Sequence, residues 1–563
     1  MLASLARPIL TTLAAVLLLP GAFAQEILHV RSDLTTGAND GTSWTDAYQG
    51  SAGLQAALSA APAGSEIWVA QGTYTPGGPC TSFSLTAGGV TIRGGFDGTE
   101  ATIHDRPERG VAPTVLSGDN LGNDDGTVLA RVDNSQIVVY LFVEAALERL
   151  TIVRNGPFQE CFNLPVDSAG VWSLSPLTVT DCVFEDCTSG IDWSTGFLGG
   201  TGGRFTGCTF RRSSQGIDVD AALQRATVDR CRFEDCTFGV VLSRWIAATS
   251  VVNSAFVDCG QSGVRFRATN APSVTATVQG CTVVGSGGVA VELNVFPPEP
   301  NPFDNAEILV HSSILWGNGP AGGGVAPQVA GAVLVEDSIV EGGTSGAGVL
   351  DADPLFVDAA AGDLALQPGS PAIDRARGAA SDASAFDLAG ARRAFDDPAT
   401  PNAGTGAIDF VDLGALEYTT DLGSYAGCEA VPNSTGRSGR IRATGSLDVA
   451  DLDLTLRAED LPPQQFGIFL ASRRAGLAPM AGGLGTLCLG GNVGRFNAPG
   501  QILSSGLGGA FALTVDLGAI PELAGLVAVQ PGETWRFQAW HRDFVSGVGT
   551  TSNLTDRATL GFE

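Results

Sequence analysis

The sequence predicts an all-β chain, a parallel β-helix followed by a small antiparallel β-sandwich. Three observations predict it. First, "DCVFEDCTSGI" (Asp181–Ile191) and "RCRFEDCTFGV" (Arg230–Val240) write nearly the same eleven residues twice, 49 positions apart. Further copies ("GCTFRRSSQGIDVD", "NSAFVDCGQSGVRFR", "GCTVVGSGGVAVEL") recur at irregular steps of roughly 23 to 31 residues. Each reads strand, turn, strand, Gly, strand, without the fixed length or helical period of an α-repeat. Second, 75 Gly and a 44% hydrophobic fraction with only 16% charged residues suit short strands joined by tight turns. Third, from Cys428 onward apolar and polar residues alternate between Gly/Pro turns, as in "LDLTLRAEDLPPQQFGIFLAS", "AFALTVDLGAI" and "TWRFQAWHRD". At 563 residues the chain is too long for one core, so two bodies are expected.

In chain order, Arg7, the apolar run "ILTTLAAVLLLP" and the small residues of "AFA" read as a signal peptide over 1–24. The mature chain is therefore expected to be exported, with no second apolar run of membrane length. The stretch "LQAALSAAPAGSEIWVAQGTY" then reads as a short amphipathic helix, a turn at Gly64 and a strand, a cap over the open end at about 50–75. The β-helix is expected over 25–420. Its rungs put Cys182, Cys208, Cys231 and Cys281 in one column and Cys187, Cys236 and Cys259 in another, ~4.8 Å between neighbours. Such columns are small buried hydrophobes or cross-rung disulfides. They do not converge as four zinc ligands do, and His29, His104, His311 and His541 are scattered. In the sandwich, over 428–563, Cys428 and Cys488 are the two cysteines and the candidate disulfide.

Four strings, "NDGTSWTDAYQG", "LQAALSAAPAGSEIWVAQGTY", "GGFDGTEAT" and "PTVLSGDNLGNDDG", resemble secreted bacterial right-handed β-helix proteins of the pectin-lyase-like class. They are similar in style to polymorphic outer-membrane proteins. "DADPLFVDAAAGDLALQPGSPAIDRA", ending in "DLGALEY", resembles a choice-of-anchor Q segment at about 350–418, which usually closes such β-helices ahead of a sorting signal. This chain departs from that pattern in showing no sorting signal behind it. The C-terminal strings "VPNSTGRSGRI", "LCLGG" and "VQPGETWRFQAWHRD" resemble a β-sandwich appended to other exported bacterial proteins. The resemblance over about 28–418 implies a right-handed β-helix and an extracellular or cell-surface location, and says little about chemistry.

Composition narrows the function. A net charge of -28 repels phosphate backbones, so nucleic acid is not an expected partner. All 31 basic residues are Arg, which excludes a Lys base or Schiff base. The Gly-rich strings "GGVAPQVAGAVL" and "GGLGTLCLGG" lack the strand-to-helix setting of a phosphate loop.

In the strand after each repeat Gly, Ile191/Trp193, Ile217/Val219, Val240/Leu242, Val264/Phe266 and Val289/Val291 are assigned inward. Alternation then turns Asp192, Asp218, Asp220, Arg265, Arg267 and Glu292 outward. Asp192 and Asp218 fall about one rung apart, ~5 Å, the separation of paired glycosidase carboxylates. Stacked like charges also invite Ca²⁺, the one cofactor the sequence points to. In a lyase, Arg265 would serve as base. Trp245 and Trp316 stand at coil corners, where a sugar ring can stack, and "NVFPPEPNPFDNAE" (Asn294–Glu307) is the one long loop placed to wall a cleft. Against this, an exposed strand face ordinarily carries solvated charges, and the strings of pectinases are absent. The favoured expectation is a non-enzymatic scaffold binding polysaccharide or cell-surface proteins. The alternative is a polysaccharide lyase or glycoside hydrolase acting on an acidic polysaccharide.

Overall fold

Each coil is organised by two left-handed residues five positions apart. Asp181 and Asp186 have φ of 55° and 56°, and Gly207/Arg212, Arg230/Asp235, Asn253/Asp258 and Gly280/Gly285 repeat the pair rung by rung. Gly, Asn and Asp tolerate this conformation best, which is why they punctuate the motif. Between the two corners sits a three-residue strand such as Val183–Glu185. A longer strand such as Ser189–Trp193 follows the second corner.

The computed structural model describes residues 26–107, 109–124, 131–157, 168–194, 202–220, 225–243, 249–268, 274–295, 306–320, 325–480, 482–545 and 549–563. Stacking the coils builds three parallel sheets of twelve, ten and nine strands, each ordered along the chain from its third strand on. The first sheet includes Leu177–Thr180, the second Val183–Glu185 and the third Ser189–Trp193. The protein is a right-handed parallel β-helix followed by small antiparallel sheets. The helix Gly53–Ala60 turns Leu54, Ala57 and Leu58 into the first coils.

Identical residues stack inside the coils. Phe184, Phe210, Phe233 and Phe256 form a buried ladder with ring centroids 4.8, 4.8 and 4.6 Å apart and planes within 7° of parallel. The repeat Gly exists because of this ladder. A Cβ on Gly239 would stand 2.4 Å from the Phe256 ring and 2.5 Å from the Gly263 carbonyl oxygen.

The cysteine columns continue as serines. The backbone N–H of Cys231 donates to Ser254 Oγ (3.1 Å), and that of Cys281 donates likewise to Ser313 Oγ (3.1 Å). The seven rung cysteines are buried free thiols with no cross-rung disulfide among them. Cys208, Cys231 and Cys281 donate S–H to the carbonyls of Val179, Phe205 and Val251 on the preceding rung.

One register differs from the alternation expected above. Val264 pairs with Val291 and Arg265 with Glu292, two residues later than assigned. Gly287 and Gly288 lengthen that turn, so Ala290 is in the core and Val289 is half-buried.

Beyond Val340 a single bridge, Ile339 to Leu350, adds to the last rung. Residues 351–418 then run back along the outside of the second sheet. Phe356, Leu364, Ile373, Val411 and Leu413 pack there on Ala255, Val257, Val284 and Ile314. A buried polar network stiffens this segment. Arg393, 4% exposed at its side chain, donates to the carbonyls of Gly414 and Asp412, both at 2.9 Å, and faces Glu417 at 3.7 Å. Asp412 accepts the N–H groups of Asp374 (2.7 Å) and Tyr418 (2.5 Å). Burial pushes both Asp374 and Asp412 up to about 7, with Asp396 a second cause at Asp374.

The C-terminal body packs Arg440–Gly445, Leu454–Glu459 and Phe511–Thr514 against a sheet built on Phe466–Ser472, Thr534–Val545 and Gly549–Gly561. Phe469, Trp535, Phe537, Leu456 and Leu560 fill the space between them. Cys428 and Cys488 form a disulfide, Cα–Cα 6.1 Å.

Candidate binding face

The outward side of the third sheet holds the residues singled out by alternation. Register places them in one file: Tyr140, Trp172, Asp192, Asp218, Val241, Arg265 and Glu292, one per rung. Asp192 and Asp218 are therefore neighbours. Asp220 lies beyond the strand end, its N–H bonded to the Trp193 carbonyl at 3.1 Å.

The surroundings differ from a solvated patch. Asp192 is 5% exposed and accepts the Ser194 hydroxyl at 2.5 Å, whereas Asp218 and Asp220 are half-buried. Arg265 is committed elsewhere: Nε bonds Glu292 Oε1, and the guanidinium stacks 3.8 Å over the Phe238 ring. Glu292 is held in turn by Ser262 (3.0 Å) and Asn294 (3.1 Å). Arg265 is two rungs from Asp218, ~10 Å, with the fully buried Val241 between them. A base paired this way is not poised to take a proton from a substrate at the aspartates.

Asp192 and Asp218 would supply at most four of the six to eight oxygens a Ca²⁺ ion takes, the others coming from carbonyls or water. Among the described residues no three His, Cys, Asp or Glu side chains gather as metal ligands.

Sequence reasoning missed the aromatic end of the file. Tyr140 and Trp172 stack with centroids 4.7 Å apart at 15°, and Phe142 meets Tyr140 edge-on at 4.3 Å; Tyr140 and Trp172 are buried in a small cluster with Ile137 and Ala169. The strings "IVVYL" and "AGVWS" gave little signal, because neither alternates apolar with polar residues nor contains the repeat motif, and both strands are buried throughout. Trp193 points inward, its indole N–H donating to Ser175 O at 2.8 Å. Trp316 packs against the returning segment. Trp245 and most of the Asn294–Glu307 insert, 296–305, lie outside the described residues. His311 is buried beside Ser312, and burial, then Arg377, lowers its pKa.

The fold and this face define a right-handed parallel β-helix protein. Residues 166–305 match the family described as the right handed beta helix region. Two solved structures from bacteriophage are similar, each with a TM-score of 0.28. The enzymatically active domain of bacteriophage CBA120 tailspike protein 2 is 9% identical, over 90% of this chain and 73% of that one. Full-length tailspike protein 2 from Escherichia coli O157:H7 bacteriophage CAB120 is 8% identical, over 90% of this chain and 66% of that one. No curated protein matches the chain in sequence.

Proposed function

We propose that the chain is an exported, non-enzymatic binding scaffold that uses the third-sheet face to hold glycans or cell-surface proteins outside the cell. In this reading residues 1–24 are a signal peptide, 25–420 the β-helix with a choice-of-anchor Q-type end, and 428–563 a separate sandwich. One observation carries it. The side chain best suited to act as base, Arg265, is bound to Glu292 and stacked on Phe238, two rungs away from the aspartates.

The test is a glycan array together with product detection on acidic polysaccharides, with and without Ca²⁺, repeated with Asp218→Asn. Binding without products is the expected result. Turnover that disappears in Asp218→Asn would instead establish a lyase or hydrolase at Asp192, Asp218 and Asp220.

A further inference from the structure

The corner between the first and second sheets faces a cleft of about 860 Å³, closed on its other sides by the returning segment and the sandwich. Its lining is unlike the rest of this acidic molecule. Arg106, Arg109, Arg149, Arg230, Arg232 and Arg557 line it, against only Asp181 and Asp363. Glu148, Asp229 and Glu234 pair with Arg106, Arg230 and Arg232 from outside that lining.

The left-handed corner column supplies the spacing. Arg149, Asp181, Gly207 and Arg230 occupy successive rungs, each N–H bonded to the next rung. Arg109 spans the two middle rungs, contacting Asp181 Oδ1 at 3.4 Å and Gly207 O at 2.9 Å. Arg149 and Arg230 thus stand three rungs apart, about 14 Å, and Arg109 lies beside the two rungs between them, where it also neutralises Asp181.

Donors remain open along this line. Arg230 is held only through Nε, to Asp229 at 3.4 Å, so both its terminal nitrogens make no hydrogen bond among the described residues. Arg109 Nε is likewise unbonded, as is Arg232 Nη1, whose partners are Glu234 at Nε and Gly362 O at Nη2. Arg106 is buried and paired with Glu148; burial first, and then the neighbouring Arg149 and Arg93, lower its pKa to about 9.

We propose that this cleft binds a linear polyanion, a stretch of acidic polysaccharide whose carboxylates lie along the corner against Arg109, Arg230 and Arg232. The planar guanidinium fork matches a carboxylate, and a repeating ligand matches a file of charges better than a single small anion does. The lining contains no Phe, Tyr or Trp on which nucleobases would stack. The site shares no residue with the third-sheet face, so it stands or falls separately from the function proposed there.

The test is calorimetric titration of the full chain with an oligogalacturonate long enough to span three rungs, at low and at physiological salt. Arg109 and Arg230 are 43% and 28% exposed at their side chains, so their replacement leaves the core intact. Arg109→Ala and Arg230→Ala are each expected to weaken binding about tenfold at unchanged thermal stability, and Arg230→Glu to weaken it further. Asp218→Asn, on the other face, is expected to leave this titration unchanged. No binding at low salt, or affinity indifferent to all three arginine variants, overturns the proposal. So does equal affinity for poly-glutamate or inorganic phosphate. Binding lost in Asp218→Asn but retained in the arginine variants would place the ligand on the third-sheet face instead.

Discussion

At the residue scale, Asp374 and Asp412 are carboxyl groups held up to about 7 by burial, against an ordinary value of 3.8. The folded protein keeps protons there that the unfolded chain releases. Stability from this pair is therefore present below about pH 4 and falls as pH rises toward 7, by at most about 1.4 kcal/mol per unit for each group. Asp374→Asn is expected to flatten that part of the melting-temperature profile and to raise the melting temperature at pH 7.5 relative to the parent. Asp218 makes a contrasting case. Its strand position is set by backbone pairing, so Asp218→Asn should unfold within a degree or two of the parent; a large loss would show that the carboxylate is part of the core. The outward direction of both Asp192 and Asp218 was legible in the alternation. The burial of Asp192 was not, because it depends on neighbours distant in sequence. The Arg265–Glu292 pair was also missed, because two glycines in a turn shift the register without disturbing the alternation on either side.

At the element scale the coil is a packing unit whose parts specify one another. Phe233 lies between Phe210 and Phe256, and its ring edge takes the space that a Cβ on Gly216 would need, 2.5 Å away. Phe233→Ala is expected to cost about 3–5 kcal/mol in chemical denaturation. Gly239→Ala, which inserts atoms where none fit, is expected to cost about 1–3 kcal/mol. This reciprocity explains why the repeats were readable despite their uneven length. Corner residues, ring and glycine recur at fixed offsets, while the length varies in the connection that follows each third-sheet strand. The returning segment was harder to place. Its apolar residues show no repeat, and nothing local says that they cover the second sheet rather than extend the stack. Arg393→Met tests how tightly it is held. Removing that guanidinium leaves the buried carbonyls of Asp412 and Gly414 without their donor and Glu417 without its partner, and a loss of about 3–5 kcal/mol is expected, with faster amide exchange confined to 351–418.

At the scale of the whole molecule, the bodies are joined by polar contacts. Arg392 bridges the returning segment to Asp556 and lies 4.0 Å over the Tyr425 ring, and Arg474 meets Asp105 of an early coil at 3.3 Å. The sandwich carries its own constraint in the Cys428–Cys488 disulfide, whose ends are 60 residues apart. Reduction is expected to lower the stability of that body by about 4 kcal/mol and to leave the β-helix transition in place, seen as two separated unfolding steps by calorimetry. The arginine-lined cleft was not legible in the sequence, because its walls come from three regions far apart in the chain.

The thiols sealed along the coils have a further consequence. Burial pushes Cys187 and Cys281 up to about 12 and Cys236 to about 11, so in the folded protein they are silent toward oxidants and alkylating reagents. They awaken only when their own rung parts from its neighbour. The columns therefore act as a graduated scale along the filament. The order in which Cys182, Cys208, Cys231, Cys259 and Cys281 become labelled would tell from which end the stack peels, and whether it opens one coil at a time or all at once.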